Sequence, residues 1–197
     1  MRQEELRELH YITPIGNVPS ILLLGLLSHR LMQKVQHQSV ADEQVQSIRA
    51  KKVVPGRRPL HDYVNLYICA RNPMMYKRHG CHANLCVLRV SRAVLDLPDV
   101  VITDQNAASS YASFWPSPKG LSHVDADMVF AERWTDPDPV TYWRRKDAKC
   151  AEVLVPKRVD PRFVEGAYVS GSEGWNNLSA TGFGPPVTVD AHLFFAD

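Results

Sequence analysis

The sequence lacks the loops that most often bind phosphate or carry a nucleophile. It has no GxGxxG, no Walker-type GxxxxGK, no GxSxG and no HExxH. A Rossmann dinucleotide site, a P-loop, a nucleophile elbow and a zincin helix are thereby excluded. Long hydrophobic runs are missing too. The most apolar stretch, ILLLGLL at Ile21–Leu27, is broken by Gly25 and falls far short of the roughly 18 residues that span a bilayer. The first residues, MRQEELRELH, are too charged for a secretory leader, so a cytoplasmic protein without a membrane partner is expected. No CxxC pair occurs among the four cysteines. His79, Cys81, His82 and Cys86 match no common zinc spacing, so free thiols and no bound metal are expected. Acidic residues are nearly absent from Gln44 to Leu95, where ten bases face only Asp62. The formal charge of the whole chain is only +2, so the remainder is net acidic. Such a block is either a solvated face or the footprint of a polyanionic partner.

What is present reads as one domain over residues 1–197, long enough for a substantial core. Strands are expected at Leu9–Pro14, Val64–Ala70, Leu85–Val90, Val100–Thr103, Val153–Val155, Gly166–Ser170 and Val187–Phe195. Asn17 before Pro19 marks a helix start and Gly25 its end; the helix between them is apolar nearly all round and so should be buried. Arg30–Arg49 has weak amphipathic spacing and reads as a loop with one or two helical turns, placed to close over a cleft. Asn106–Phe114 and Asp125–Trp134 read as helices, and TDPDPVTYWRRKDAK as a loop. Strands and helices do not alternate as βαβ units. The class is therefore α+β with mostly antiparallel strands.

Glu152 stands at the head of the strand in KCAEVLVP. A single carboxylate at a strand mouth, behind an aromatic and basic segment, suits an enzyme that stabilises a cation at a sugar carbon. The alternative is an exposed strand face. His10, Thr13 and Asn17 surround the first strand-to-helix turn, either as helix caps or as grips for an amide or ribose. Arg49 is a solvent or phosphate contact, or a group that neutralises a pyrophosphate. His61, Tyr63, Asn65 and Tyr67 recur with a period of two, and read as the floor of a cleft. Tyr76, Tyr111, Phe114, Trp115, Trp134, Tyr142 and Trp143 offer stacking surfaces. Tyr142 and Trp143, beside Arg144, Arg145 and Lys146, form the best platform for unpaired bases.

Taken in order, HYITPIGNVPSILLLGLLSH, IRAKKVVP, LHDYVNLYICARNPMMY, VITDQNAASSY and KCAEVLVP resemble the DarT family, toxins that ADP-ribosylate single-stranded DNA. The resemblance implies an ADP-ribosyltransferase fold of two packed antiparallel sheets around an NAD+ cleft. It implies Glu152 and Arg49 as catalytic residues, and His10, Tyr11, Thr13, Asn17, Leu26, Arg49 and Tyr67 at the co-substrate NAD+. Where some members carry a His before Ile-Thr, this chain has Tyr11, with His10 one step earlier. Tyr76, Asn106, Tyr142, Trp143, Arg144 and Arg145 would meet the DNA, most simply at a thymidine. A macrodomain-type antitoxin is the implied partner, and a monomer is expected. Cleavage of the nicotinamide–ribose bond leaves an oxocarbenium ion that Glu152 would stabilise. The rival readings are the same chemistry on guanine or on RNA, including tRNA 2′-phosphotransfer, a transferase acting on protein, and a basic module that only binds nucleic acid.

Overall fold

Two strands with apolar residues on both faces form the centre of the molecule. In β4 (Leu85–Ser91), Cys86, Leu88 and Val90 enter the main core while Leu85 and Val87 enter a second cluster on the other face. In β7 (Glu152–Pro156), Val153 and Val155 join the main core, and Leu154 packs with Tyr63, Val101 and Ala107. A strand buried on both sides is a continuous apolar run, as both are. The period of two then puts Glu152 on the Leu154 side, away from the main core.

The computed structural model describes residues 1–196. In chain order the elements are β1 (Glu8–Pro14), α1 (Val18–Leu24), β2 (Leu26–Leu27), α2 (His29–Met32), α3 (Glu43–Lys51) and β3 (Tyr63–Tyr67), followed by α4 (Pro73–Lys77), β4, β5 (Val101–Thr103) and β6 (Phe114–Pro116). Then come α5 (Ala126–Phe130), α6 (Pro139–Ala148), β7, β8 (Arg158–Val159), β9 (Val164–Val169), α7 (Ser172–Ser179) and β10 (Val187–Val189). Short 3-10 turns connect several of them, among them Leu60–Asp62. Eight strands form a sheet in the order β10-β9-β4-β1-β3-β7-β5-β6, and β2 pairs with β8 in a separate ribbon. Every pairing is antiparallel except that of β9 with β10.

The join between β1 and β3 decides where a ligand can enter. β1 pairs with β4 along its whole length, from Glu8↔Ser91 to Pro14↔Leu85. With β3 it shares only His10↔Tyr67. The two halves expected as separate sheets are thus tied at one point and diverge beyond it. Tyr11–Pro14 on one side and Tyr63, Asn65 and Tyr67 on the other line the resulting wedge.

Several local expectations are corrected. Asn106–Phe114 is not a helix: Asn106 Oδ1 accepts from Ala108 N at 2.9 Å, an Asx turn that diverts the backbone. TDPDPVTYWRRKDAK is not a loop: Asp138 caps α6, accepting from Thr141 N at 2.8 Å, with Pro139 at the first helical position. The final segment stays extended only over Val187–Val189 and then turns as a 3-10 helix at His192–Phe194. Helix α5 stops at Phe130, short of Trp134. Helix α1 is less buried than its composition implies, since Leu23 is 79% exposed. Asn17 lies at the N-cap position without capping, because its amide is used elsewhere.

Gly25 ends α1 with φ +82°, and an added Cβ would lie 2.2 Å from the backbone oxygen of Val159. Gly25→Ala is expected to cost at least about 1–3 kcal/mol, the strain of such a backbone conformation before any clash. Urea denaturation measures it; an unchanged midpoint would contradict this account of the turn.

Candidate active site

The wedge between β1 and β3 holds a cavity of about 290 Å³. Glu152 is 1% exposed and does not itself line it; its partner Arg49 does. Its bland reading, a carboxylate on an open strand face, is therefore ruled out. Arg49, from the last turn of α3, meets it with both terminal nitrogens: NH1 donates to Oε1 at 3.0 Å and NH2 to Oε2 at 3.1 Å. Ala107 N also donates to Oε1, at 3.1 Å. Oε1 thus receives two hydrogen bonds and Oε2 one, so Oε2 keeps a free lone pair for another donor. Thr103 Oγ1 accepts from Glu152 N at 3.1 Å and fixes the strand edge. Burial alone would lower the Arg49 pKa, but the charge of Glu152 and its hydrogen bonds outweigh that and raise it above its ordinary value. The pair is bidentate, the strongest geometry for two such side chains.

Around this pair the walls are polar in patches. Thr13 and Asn17 line the cavity; Asn17 Nδ2 donates to Gln38 O at 2.8 Å, and its Oδ1 accepts from Gln38 N at 2.9 Å. That two-point grip holds the 33–42 segment against the first helix. Tyr67 and Tyr11 also line the cavity, and burial pushes both phenols up, Tyr11 to about 12 and Tyr67 well above its ordinary value. His61, Tyr63, Asn65 and Tyr67 all reach it, although His61 does so from the 3-10 turn and not from the strand.

Other expected residues lie elsewhere. His10 does not line this cavity. Its Nε2 sits 3.3 Å from Glu8, which also takes Arg89 Nε at 2.6 Å and the Tyr168 hydroxyl at 2.7 Å. That cluster claims the imidazole, and of these two neighbours it is Tyr11 that reaches the cleft. Leu26 is a core residue that faces a smaller adjoining hollow; the alternation of β2 sends Leu27 to the main cavity instead. Tyr76 lies outside on α4, stacked on His79 at 5.3 Å and edge-on to Trp134 and Phe195. Asn106 lines the cavity. Tyr142 and Trp143 stand on α6 with the Lys146 ammonium over both rings, at 5.5 and 4.4 Å. Arg144 is exposed, and Arg145 pairs with Asp136 at 3.1 Å. The donors His79, Cys81, His82 and Cys86 do not gather, because Cys86 is in the core and His82 binds Ser170. No metal-holding group of three occurs among the described residues. Among them, no helix is long and apolar enough to cross a membrane.

Some lining residues were not singled out from the sequence: His29, Gln46, Lys77, Arg78 and Asp147. A signal for Gln46 was present, since it lies one helical turn before Arg49 in a helix started by Asp42, whose Oδ1 accepts from Gln44 N and Val45 N. Lys52 also approaches the site, its ammonium bonded to Ser109 O.

The sequence model of a family described as "ssDNA thymidine ADP-ribosyltransferase, DarT" matches residues 10–195. The chain belongs to the DarT family. A Thermosipho africanus protein described as a DNA ADP-ribosyl transferase–DNA ADP-ribosyl glycohydrolase fusion is 34% identical over 96% of the chain, which spans half of that relative's length. A DNA ADP-ribosyl transferase from Thermus sp. 2.9 is 31% identical over 76% of the chain and 74% of its own length. The solved DarT of Thermus sp. 2.9 with ADP-ribosylated single-stranded DNA superposes with a TM-score of 0.83 at 27% identity, covering 96% of this chain and 97% of that one. The same DarT with NAD+ gives 0.78 at 26% identity, covering 96% and 98%.

Removing one member of a buried ion pair leaves the other uncompensated, at roughly 3–5 kcal/mol. Arg49→Met is expected to lose about that much stability near pH 7. Urea unfolding tests this; an unchanged midpoint would show that the pair does not hold α3 to β7.

Proposed function

We propose that this chain transfers ADP-ribose from NAD+ to a base of single-stranded DNA, with thymidine as the first target. The supporting observation is the Glu152–Arg49 pair beneath a polar cavity in the wedge of the sheet. The donor set there suits a dinucleotide: Thr13 and Asn65 for amide and hydroxyl groups, Tyr11 and Tyr67 for a ring, with Asn17 holding the Gln38 segment beside them. NAD+ supplies an electrophilic ribose carbon that becomes cationic as nicotinamide leaves. Glu152 supplies the matching anion, and its less-used Oε2 can accept from a ribose hydroxyl. Arg49 fixes the plane of that carboxylate through two hydrogen bonds. Such preorganised charge is worth roughly 3–4 kcal/mol of barrier, or about 10²–10³ in rate.

The acceptor side is built by Asn106, Lys146 and the Tyr142–Trp143 rings of α6. Exposed rings under a lysine stack unpaired bases and hold the adjoining phosphate. A paired thymine hides its N3 edge, and extruding it costs a few kcal/mol, which favours single strands. Tyr76, with Arg71 over the neighbouring Phe195 ring, extends the aromatic surface along the rim. We place the enzyme in the cytoplasm as a monomer. One relative carries transferase and glycohydrolase in a single chain, so the partner proposed here is a separate macrodomain-type hydrolase that removes the ADP-ribose.

Glu152→Gln is expected to keep NAD+ binding and to lose transfer by at least about 10²–10³. Titration calorimetry with NAD+ reads the binding, and mass spectrometry of short oligomers carrying each base, incubated with NAD+ and either enzyme, reads the transfer. Wild-type enzyme should add one ADP-ribose to thymidine-containing DNA. A gain on guanine or on RNA alone would move the acceptor, and full activity in Glu152→Gln would remove this carboxylate from the chemistry.

A further inference from the structure

Most polar groups around the cavity are already engaged. Arg49 gives both terminal nitrogens to Glu152. Lys77 is bonded to Asp42, and Arg78 to the Val40 and Ala41 carbonyls. Asn17 spends both ends of its amide on Gln38. Two imidazoles differ. His29, at the start of α2, and His61, on the Leu60–Asp62 turn, both line the cavity and stack with ring centroids 4.0 Å apart, tilted by 32°. His61 Nε2 lies 3.1 Å from Gln46 Oε1, and His29 Nε2 has only a 3.4 Å contact with Gln33. The Nδ1 atom of each ring has no hydrogen-bond partner among the described residues.

The charges facing the pair come from every neighbouring element. Arg49 approaches from α3, Arg30 from α2, and His37 from the segment beyond it; Asp62 is the one acid, and it is paired with Arg30. Burial first lowers both imidazole pKa values; His37 and Arg49 add to this for His29, and His29, Arg49 and Arg30 for His61, which falls to about 4. Two neutral rings with open nitrogens, in a surround short of anions, form a site that an anion would complete. A doubly charged diphosphate reverses the electrostatic balance that keeps them neutral.

We propose that His29 and His61 together hold the diphosphate end of the dinucleotide and take up a proton as it binds. This rests on the NAD+ reading above and goes further, giving a recognition role to two residues outside the Glu152–Arg49 centre. A ligand that raises a group's pKa binds more tightly as pH falls towards that pKa. Affinity for ADP-ribose and NAD+ is therefore expected to strengthen between about pH 7.5 and 5.5, by up to about tenfold per pH unit for one proton. In the free protein the sign is opposite. The unfolded His61 protonates near its ordinary value and the folded one near 4, so its contribution to stability is present above about pH 6.5 and is lost as pH falls through 4.

Titration calorimetry at pH 6 in two buffers of different ionisation enthalpy counts the protons. ADP-ribose, which carries the diphosphate but does not react, should take up between about half and one proton per molecule bound. Nicotinamide riboside, which lacks the diphosphate, should take up none. The double variant His29→Gln, His61→Gln should bind ADP-ribose at pH 8 and lose the uptake at pH 6. Absence of uptake in the wild type, equal uptake with nicotinamide riboside, or uptake that survives in the folded double variant would each overturn the proposal. Should the double variant not fold, the two wild-type titrations still decide. If neither NAD+ nor ADP-ribose binds at all, the dinucleotide reading fails and this inference fails with it; if both bind without proton uptake, only this inference falls.

Discussion

The Arg49–Glu152 pair sets the terms for the rest of the molecule. It joins residues 103 positions apart, the end of α3 to the head of β7, and both are almost fully buried. Two charges taken from water are tolerable only when each is well matched. The surroundings supply that match. The Asx turn at Asn106 presents Ala107 N to Oε1, and Thr103 holds the strand edge from which the side chain projects. The Asp42 cap and the Gln38–Asn17 grip keep the lid segment and α3 in position, so that Arg49 arrives at the right height. Local turn chemistry far apart in the sequence thus serves one carboxylate.

The same accounting changes the meaning of the basic block. From Gln44 to Leu95 ten bases stand against Asp62, which reads as a broad cationic face. In three dimensions almost every one of those bases is engaged within the protein. Arg49 meets Glu152, Arg57 and Arg58 meet Asp99, Lys77 meets Asp42 and Arg89 meets Glu8. Arg71, Arg78 and Arg92 donate to backbone carbonyls, and so does Lys52. The acids in these pairs come from outside the block, which is why the remainder of the chain is acidic. A linear charge count therefore overstates the positive surface free for nucleic acid. The cations beside the Tyr142 and Trp143 rings are Lys146 and Arg144 on α6, outside the block altogether.

Much of the scaffold was legible because its signals are short-range. Both-face burial wrote β4 and β7 as apolar runs, and Gly25 closed α1 where expected. The period of two along His61–Tyr67 correctly gathered the cavity floor, even though the first residue belongs to a turn. Errors arose where one local signal was read in place of another. The run before Lys149 reads as a loop, yet its Asp138-Pro139 pair is a helix cap followed by a first-turn proline. The small residues after Asn106 look helical until the Asn side chain is allowed to bond its own backbone. The His10 and Leu26 placements failed for a different reason. Each lies next to a residue that does reach the cleft, and a shift of one along a strand exchanges the two faces. The His29–His61 stack left no trace in the sequence, because its members come from separate elements.

Magnitudes also indicate how the cleft can open. The segment from His29 to Asp42 is held over it by Arg30–Asp62, Lys77–Asp42, the Asn17–Gln38 grip and the histidine stack. Arg30 and Lys77 are largely exposed, and ion pairs of that kind are worth about 0–1 kcal/mol each. The Arg49–Glu152 pair would cost several kcal/mol to separate. An opening movement therefore releases the His29–Asp42 stretch first and leaves the C-terminal turn of α3 in place. Arg49 then serves as the pivot as well as the partner of Glu152.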